Sequence, residues 1–373
     1  MRTVYFDYNA TTPVAPEVVE SMLPFFSESF GNPSSGHWYG KQARKAVDEG
    51  RSKVASLLGC DPKEIIFTSG GSEANNLAIK GLAWVNREKG DHVITSSIEH
   101  PAVINPCRHL EELGFRVTYV PVDECGMVEP GQIENAICDE TILISVMHAN
   151  NEVGTIQPIA AIGKIARERG VLFHTDAAQS AGKIPTRVNE LNVDMLSVAS
   201  HKFYGPKGMG ALYVRDGIDL KPLIDGAGHE SGRRAGTENT AGIAGLGKAC
   251  ELAERELVGR MGSLKELRDS FLQMLEEELG QVIVNGHPSE RLPNTLNVSL
   301  PGRNSSRLLE SIPEICASTG SACHEGQEAM SPVLEAMGIG RERGLEAVRF
   351  SLGKWTTKPE LAEAARLIGR TER

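Results

Sequence analysis

Strands and helices alternate along this chain from about residue 65 onward. Of all the features of the sequence, this alternation places the strongest limit on the fold. Short apolar runs of strand length recur between helical stretches over about 150 residues. Strands joined in this way by helices lie parallel in one sheet. We therefore predict an α/β protein with a mostly parallel central sheet flanked by helices, whose ligands bind beyond the carboxyl ends of the strands. The predicted strands are 65–68, 92–95, 117–120, 142–146, 171–175, 193–198 and 210–214.

The pattern changes after Asn239, where a long helical stretch replaces the alternation. We expect this stretch to cover residues 241–279, with a break near Gly262. Residues 15–250 are predicted to form a large cofactor-binding domain. Residues 1–14 and 251–373 are predicted to form a smaller α+β domain that carries the loop around Cys323.

The composition excludes several classes of function. The 373 residues are 40% hydrophobic, which is enough for a large core, and the formal net charge of -10 argues against direct nucleic-acid binding. No apolar stretch has the length of a membrane span, and no basic, apolar-cored leader opens the chain. The seven cysteines lack C-x-x-C pairs, which argues against a disulfide framework or a zinc site. We expect a cytoplasmic protein with neither a membrane nor a nucleic-acid partner.

One lysine lies where the alternation predicts a ligand site. Lys202 follows the apolar run 193–198, and glycines at 205 and 208 turn the chain back toward the run 210–214. A buried ammonium is costly, whereas a solvated loop lysine is ordinary. A desolvated lysine loses its proton easily and can form a Schiff base with an aldehyde cofactor. For Lys202 alone both interpretations stay open.

Three more motifs follow predicted strands. Gly70-Gly71-Ser72 joins a strand to a helix and suits an anion, although a plain tight turn would look similar. His100 could stack on an aromatic ring or move protons, or could simply be a hydrogen-bonded histidine. Asp176 at that depth would suit a protonated pyridine nitrogen, or it could cap a helix.

Three further segments add polar or reactive side chains. Asn151 lies in a strand-end loop that suits a ligand, but an ordinary solvated turn has the same composition. Arg349 lies in an apolar strand and needs a carboxylate, either an internal one or one from a substrate. Cys323 lies in a small, polar, glycine-bearing loop, which is typical of an accessible, reactive thiol.

Together these motifs resemble the class V (fold-type I) aminotransferase-like family of pyridoxal phosphate enzymes. The resemblance is strongest to its cysteine desulfurases and selenocysteine lyases, and it covers nearly the whole chain. The motifs occur in the family's order and at compatible spacings. They are residues 7–13, 31–35, 67–73, 150–154, 174–179, 201–206, 236–239 and 349–353.

The resemblance implies pyridoxal 5′-phosphate as the cofactor, with four residues around its ring. Lys202 would hold the cofactor covalently and would move protons at the substrate Cα once displaced. His100 would stack on the ring. Asp176 would pair with the ring nitrogen, and Gln179 would bind the phenolic oxygen.

The resemblance also implies a phosphate site. Gly71-Ser72 and His201 would hold the phosphate, and Thr237 would reach it from the second subunit of a homodimer. The chain departs from many relatives at Ala199, where they carry a serine that contacts the phosphate. We expect that contact to be missing, with Ser200 as a possible substitute.

The reaction implied is the conversion of L-cysteine to L-alanine. Asn151 and Arg349, assisted by Asn32, would bind the substrate carboxylate. Cys323 would receive the sulfur as a persulfide and pass it to an acceptor protein. The sequence leaves that acceptor open among an iron–sulfur scaffold, tRNA thiolation, DNA modification and a selenium pathway.

The sequence features disagree on whether the chain prefers cysteine or selenocysteine as its substrate. Selenocysteine-selective relatives tend to have an acidic residue after the stacking histidine, whereas this chain has Pro101. In contrast, Cys323-His324 and the segment 331–334 resemble the selenocysteine lyases. We predict L-cysteine as the substrate, with L-selenocysteine also accepted, because the missing acidic residue removes the means of rejecting sulfur.

One alternative is a selenocysteine lyase, which converts L-selenocysteine to alanine and selenide. Two alternatives outside the desulfurases and selenocysteine lyases also stay open. One is a class V aminotransferase or lyase without sulfur chemistry, which would not need Cys323 in a polar loop. The other is a non-catalytic scaffold that binds sulfur-transfer partners.

Overall fold

The computed structural model describes residues 3–319 and 330–371. Cys323 and His324 lie outside these ranges. The strands in the described part are β1 (Val4–Tyr5), β2 (Ile65–Thr68), β3 (His92–Ser96), β4 (Arg116–Val120), β5 (Thr141–Ser145), β6 (Leu172–Asp176), β7 (Met195–Ala199), β8 (Gly210–Val214), β9 (Ile283–Asn285), β10 (Thr295–Ser299), β11 (Ile315–Cys316) and β12 (Ala347–Ser351). The α-helices are α1 (Pro16–Met22), α2 (Pro24–Ser27), α3 (Trp38–Leu58), α4 (Gly71–Asn76), α5 (Leu82–Asn86), α6 (Pro101–Glu112), α7 (Pro130–Ala136), α8 (Ile159–Arg169), α9 (Val188–Leu191), α10 (Thr240–Leu279), α11 (Ser305–Ser311), α12 (Pro332–Ala336), α13 (Arg341–Leu345) and α14 (Lys358–Gly369).

A seven-stranded sheet forms the centre of the fold, in the order β2-β8-β7-β6-β5-β3-β4. Its central strands β3, β5, β6 and β7 pair in parallel, and β8 is antiparallel to both β2 and β7. Every residue of β3, β5 and β7 is buried, as expected for strands covered by helices on both faces. The predicted α/β class with a mostly parallel sheet is confirmed.

Two smaller sheets lie beside the large one. One is antiparallel, in the order β12-β10-β9, and the other is the parallel pair β1 and β11. Their apolar side chains form a cluster with α10 and α14 that includes Phe6, Phe271 and Phe350. A separate and larger cluster lies on one face of the central sheet, and a third cluster covers the other face. The domain bounds 15–250, 1–14 and 251–373 remain a prediction, and the separation of the first cluster from the other two agrees with it.

Helix α10 is continuous over 40 residues, so the predicted break near Gly262 is wrong. A Cβ added at Gly262 would meet no described heavy atom within 4 Å, so this glycine is not needed for packing. A glycine in a helix costs only about 1 kcal/mol. Both halves of the helix are anchored, with residues such as Leu246 in the larger cluster and Phe271 in the smaller one. This packing outweighs the low helix propensity of one glycine.

Among the described residues, no helix combines the length and the apolar character that crossing a bilayer requires.

Candidate active site

A cavity of about 230 Å³ lies at the carboxyl ends of the central strands. Its walls come from the first turn of α4, the segment before α6, and the segments that follow β5, β6 and β7. Eight of the residues singled out in the sequence line it together. They are Gly71, Ser72, His100, Asn151, Asp176, Gln179, His201 and Lys202.

Lys202 ends a short 3₁₀ turn, Ser200–Lys202, directly after β7. Its Nζ donates to the backbone oxygens of Asn9 at 2.7 Å and Ala10 at 2.8 Å. The pKa of Lys202 is lowered to about 8, mainly by burial and also by the charge of Arg349, while Asp176 acts in the opposite direction. A sizeable fraction of the amine is therefore uncharged near neutral pH, as a nucleophilic lysine requires.

Asp176 ends β6 and is buried, with only 7% of its surface exposed. Its Oδ1 accepts from the backbone N–H of Ala178 at 2.8 Å, and its Oδ2 accepts from Nδ2 of Asn75 at 2.6 Å. No basic side chain in the described part of the chain forms an ion pair with it. A buried carboxylate that faces a cavity and has no ion-pair partner suits a ligand with a protonated ring nitrogen.

His100 caps the N-terminus of α6, where its Nδ1 accepts from the backbone N–H of Ala102 at 3.1 Å. Burial lowers the pKa of His100, and the charge of Lys202 adds to the decrease, while Asp176 opposes it. The ring is therefore mostly neutral at neutral pH, with its proton on Nε2. A fixed, uncharged aromatic face at the cavity wall suits stacking on a flat ligand.

The start of α4 offers an anion site at the other end of the cavity. The first N–H groups of a helix have no intrahelical acceptor, and the helix dipole attracts negative charge to them. A Cβ added at Gly71 would lie 3.3 Å from the Cβ of Ala199, so a side chain there would crowd the site. His201 is the third residue predicted to hold the phosphate, and its Nδ1 forms a hydrogen bond with Oγ1 of Thr11 at 3.1 Å. This end of the cavity suits a phosphate.

Four predicted residues do not line this cavity in the single chain. Ser200 is fully buried, and its Oγ has no partner among the described residues and lies against Gly205. Thr237 is exposed and lines a different cavity of about 220 Å³. Asn32 is exposed and accepts through Oδ1 from the backbone N–H of Ser34 at 2.9 Å. Arg349 lies just behind the wall.

Arg349 projects from β12 and is nearly buried. Its Nη1 donates to the backbone oxygen of Asn151 at 3.0 Å, and its Nη2 donates to Oδ1 of Asp7 at 2.6 Å. Its Nε is buried without a partner among the described residues. The backbone of Ser318 pairs with that of Arg349. The first described range ends one residue later, at Thr319, four residues before Cys323.

Sequence reasoning missed a second layer of polar residues behind the cavity. Asn75 lies one helical turn beyond Ser72 and orients Asp176. Asn9 contacts Lys202, Gln179 and Lys183, although it is distant from all of them in the chain. The spacing of Asn75 from Ser72 was a usable signal, since residues three apart share a helix face. Asn9 lies in the motif 7–13, but no local pattern indicates its contacts or those of Lys183.

Comparison with known proteins agrees with this fold. The aminotransferase class-V family matches residues 4–363, so the chain belongs to that family. Within it, the chain resembles cysteine desulfurases. It is 50% identical over 362 residues to "Cysteine desulfurase IscS" of Dictyoglomus turgidum, covering 96% of this chain and 92% of that protein.

Two solved structures are also similar to this chain. A "NifS-like protein" matches with a TM-score of 0.92 and 39% identity, covering 98% of each chain. A structure described as "SspA in complex with cysteine" matches with a TM-score of 0.83 and 42% identity, covering 95% of this chain and all of that one. The resemblance inferred from the motifs is confirmed.

The family uses pyridoxal 5′-phosphate, and the residues present fit this group. Among the described residues the buried carboxylate of Asp176 has no ion-pair partner, which matches a protonated pyridine nitrogen. Gly71 at the start of α4 leaves room for a phosphate, because a side chain there would crowd the site. Lys202 has the lowered pKa expected of a lysine that attacks an aldehyde. The predicted cofactor is therefore supported by this chain's own chemistry.

Proposed function

We propose that this protein is a pyridoxal-phosphate-dependent cysteine desulfurase that forms L-alanine from L-cysteine and takes the sulfur onto Cys323. The observation that carries the proposal is the meeting of Lys202, Asp176 and His100 in one cavity of a chain that is half identical to a cysteine desulfurase. Bound pyridoxal phosphate supplies an electron sink that stabilises negative charge at the substrate Cα.

Each cofactor-facing residue has a distinct task in this proposal. Asp176, held by Asn75 and Ala178, keeps the ring nitrogen protonated. His100 covers one face of the ring, and Gln179 donates to the phenolic oxygen. Lys202 holds the cofactor and moves protons at the substrate Cα, since its pKa of about 8 lets it alternate between its charged and neutral forms.

Arg349 is proposed to bind the substrate carboxylate, together with Asn151 and Asn32. The unpartnered Nε of Arg349 supports this role, because a buried guanidinium N–H without an acceptor is costly. Its pairing with Asp7 holds the guanidinium next to the cavity wall. A planar guanidinium can bind a carboxylate with two hydrogen bonds, and this fixes the direction of the substrate.

Cys323 is proposed as the nucleophile, and it lies outside the described residues. Its thiolate attacks the substrate sulfur, so that an S–S bond forms while the substrate Cβ–S bond breaks. The electron pair of the broken bond ends in a C–H bond of alanine. L-Cysteine plus the enzyme thiol therefore gives L-alanine plus a persulfide, and no outside oxidant or reductant is needed.

Turnover of L-cysteine by the purified, cofactor-loaded protein tests this function. We expect alanine to be released, and Cys323 to gain the mass of one sulfur atom when no acceptor is present. We also propose that L-selenocysteine is accepted and gives alanine at a measurable rate. Alanine from neither substrate, with the cofactor fully bound, would contradict the proposal.

The same assay separates the two alternatives. A class V aminotransferase would convert an amino acid to a keto acid and would show no requirement for Cys323. A scaffold would not take up pyridoxal phosphate. The cluster of Lys202, Asp176 and His100 supports an enzyme rather than a scaffold.

We propose that Thr237 serves the active site of a second subunit in a homodimer. In the single chain this side chain is exposed and lines a cavity separate from the one that holds Lys202. Mixing subunits that carry Lys202→Ala with subunits that carry Thr237→Ala tests this arrangement, with pyridoxal phosphate kept limiting. Random exchange makes half of the dimers hybrids, each with one intact site, so we expect about a quarter of wild-type activity to appear.

The mixing experiment would give a different result if the proposal were wrong. If Thr237 acts on its own subunit, the hybrids contain one site without Lys202 and one without Thr237. No activity would then be gained above that of the separate variants. Unmixed Thr237→Ala protein is the control.

We also propose a cytoplasmic location. The six cysteines of the described ranges are all free, which suits a reducing compartment. Fractionation of cells that produce the protein would test this location.

A further inference from the structure

Lys183 is a buried lysine directly behind the active-site cavity. It lies four residues after Gln179, and only 7% of its surface is exposed. Its Nζ donates to Oε1 of Gln179 at 2.8 Å and to Oδ1 of Asn9 at 3.0 Å. In the described part of the chain no carboxylate forms an ion pair with it. Burial lowers the pKa of Lys183 well below its usual value, and the charges of Lys202 and Arg349 add to this effect.

Burying a lysine in this position lowers the stability of the fold, so the contacts of Lys183 require an explanation. A buried amino group without a counter-ion lowers stability unless its N–H groups are satisfied. Both partners of Lys183 are side-chain amide oxygens, and each accepts one hydrogen bond from the amine, so two N–H groups are enough. The amine supplies these two bonds whether or not it carries its extra proton.

These contacts determine which end of the Gln179 amide faces the cavity. The oxygen and nitrogen of an amide can exchange places unless the neighbours are strict donors or acceptors. Lys183 donates, so it takes the amide oxygen. The backbone oxygen of Asn9 can only accept, and it takes one N–H of Nε2 at 2.9 Å. Nε2 keeps a second N–H, and Gln179 lines the cavity.

We propose that Lys183 is a positioning residue that holds the amide oxygen of Gln179 and thereby presents its amide nitrogen, as a donor, to the phenolic oxygen of the cofactor. The inference deepens the proposed function and depends on this cavity binding pyridoxal phosphate. Without Lys183 the amide would be held on one side only. It could then turn its oxygen toward the phenolic oxygen, where two acceptors would repel each other.

Lys183→Met removes the donor and keeps a long side chain. The space beside Lys183 and Lys202 is a cavity of only about 10 Å³, so a side chain of similar length is needed to avoid a larger void. We expect the dissociation constant for pyridoxal phosphate to rise about three- to tenfold, which is the effect of one weakened hydrogen bond. We also expect the absorption spectrum of the bound cofactor to shift at fixed pH.

A matched control separates positioning from simple stability. Arg268 is also a buried cation, but it contacts Asp269 and the backbone of Leu292, away from the cavity. Arg268→Met should lower the unfolding temperature of the cofactor-free protein and leave the cofactor spectrum unchanged. In the double variant of Lys183→Met and Gln179→Ala, the two effects on the dissociation constant should not add, because both act through one amide.

Gln179→Glu tests the contact independently, should the methionine variant fail to fold. Because the glutamate also loses the N–H that bonds to the backbone oxygen of Asn9, its reference is Gln179→Met, which loses the same bond without adding a carboxylate. If Lys183 touches residue 179, the new carboxylate pairs with it, and the cofactor-free Gln179→Glu protein unfolds at no lower temperature than Gln179→Met. An unfolding temperature well below that of Gln179→Met would overturn the proposal, because it would reveal a buried carboxylate without a partner.

Other results would also overturn it. They are an unchanged cofactor spectrum and dissociation constant in a folded Lys183→Met protein, or fully additive effects in the double variant. These failures differ from a failure of the proposed function, in which the wild-type protein itself would not bind pyridoxal phosphate.

Discussion

Alanine formation from L-cysteine is expected to fall by at least about a thousandfold when Lys202 is replaced by alanine. The variant loses the amine that holds the cofactor and the group that moves protons at the substrate Cα. The visible absorption band of covalently held cofactor should disappear with the activity. Pyridoxal phosphate would still bind through the anion site at Gly71-Ser72 and through Asp176, so gel filtration should find it as a releasable ligand.

A neighbouring lysine provides the control for this prediction. Lys207 is exposed and lies outside the cavity, so Lys207→Ala should keep both the absorption band and the rate. Retention of the band in Lys202→Ala would show that another amine holds the cofactor. Lys183 would then be the first candidate, because it is the next lysine behind the cavity.

Cys323→Ala is expected to remove alanine formation as completely as the lysine variant, but with the cofactor band intact. The two losses differ because Lys202 belongs to the cofactor site, whereas Cys323 supplies only the sulfur acceptor. Addition of L-cysteine should still change the absorption spectrum, since substrate binding does not need the thiol. Mass spectrometry should find no persulfide on the variant.

Cys125→Ala is the matched control, because Cys125 is a partly exposed thiol in a loop of the described part of the chain. Burial raises the pKa of the Cys125 thiol, so it is a poor nucleophile, and its loss should leave turnover unchanged. Normal alanine production by the Cys323→Ala protein would rule out the persulfide route.

Much of the fold was predictable because its signals are local. Strands such as β5 and β7 are buried on both faces and therefore appear in the sequence as continuous apolar runs. The residues at their carboxyl ends, such as Asp176 and Lys202, were predictable for the same reason. The uninterrupted course of α10 past Gly262 was not, because it depends on packing at both ends of the helix.

The second layer of the site was not predictable from local pattern. Asn9 meets Lys183 across 174 positions of the chain, and Asn75 meets Asp176 across 101. Such contacts are determined by the folded topology, and a buried lysine or asparagine has no distinctive composition around it. The loop of Cys323 was predicted from its polar, glycine-bearing sequence, and that prediction stays open because the loop lies outside the described residues.

The N-terminal segment connects the two ends of the chain at the active site. Val4 pairs with Ile315 across β1 and β11, and Asp7 bonds to Arg349, 342 residues away. At translation rates of about 5–20 residues per second, the ribosome needs roughly 20–70 s to deliver that arginine after the aspartate. Over the last part of this interval, the roughly 7–30 s between Lys202 and Arg349, a growing chain has the cofactor lysine but not the completed wall beside it. We therefore expect the nascent protein to acquire its cofactor only after synthesis of the last strand.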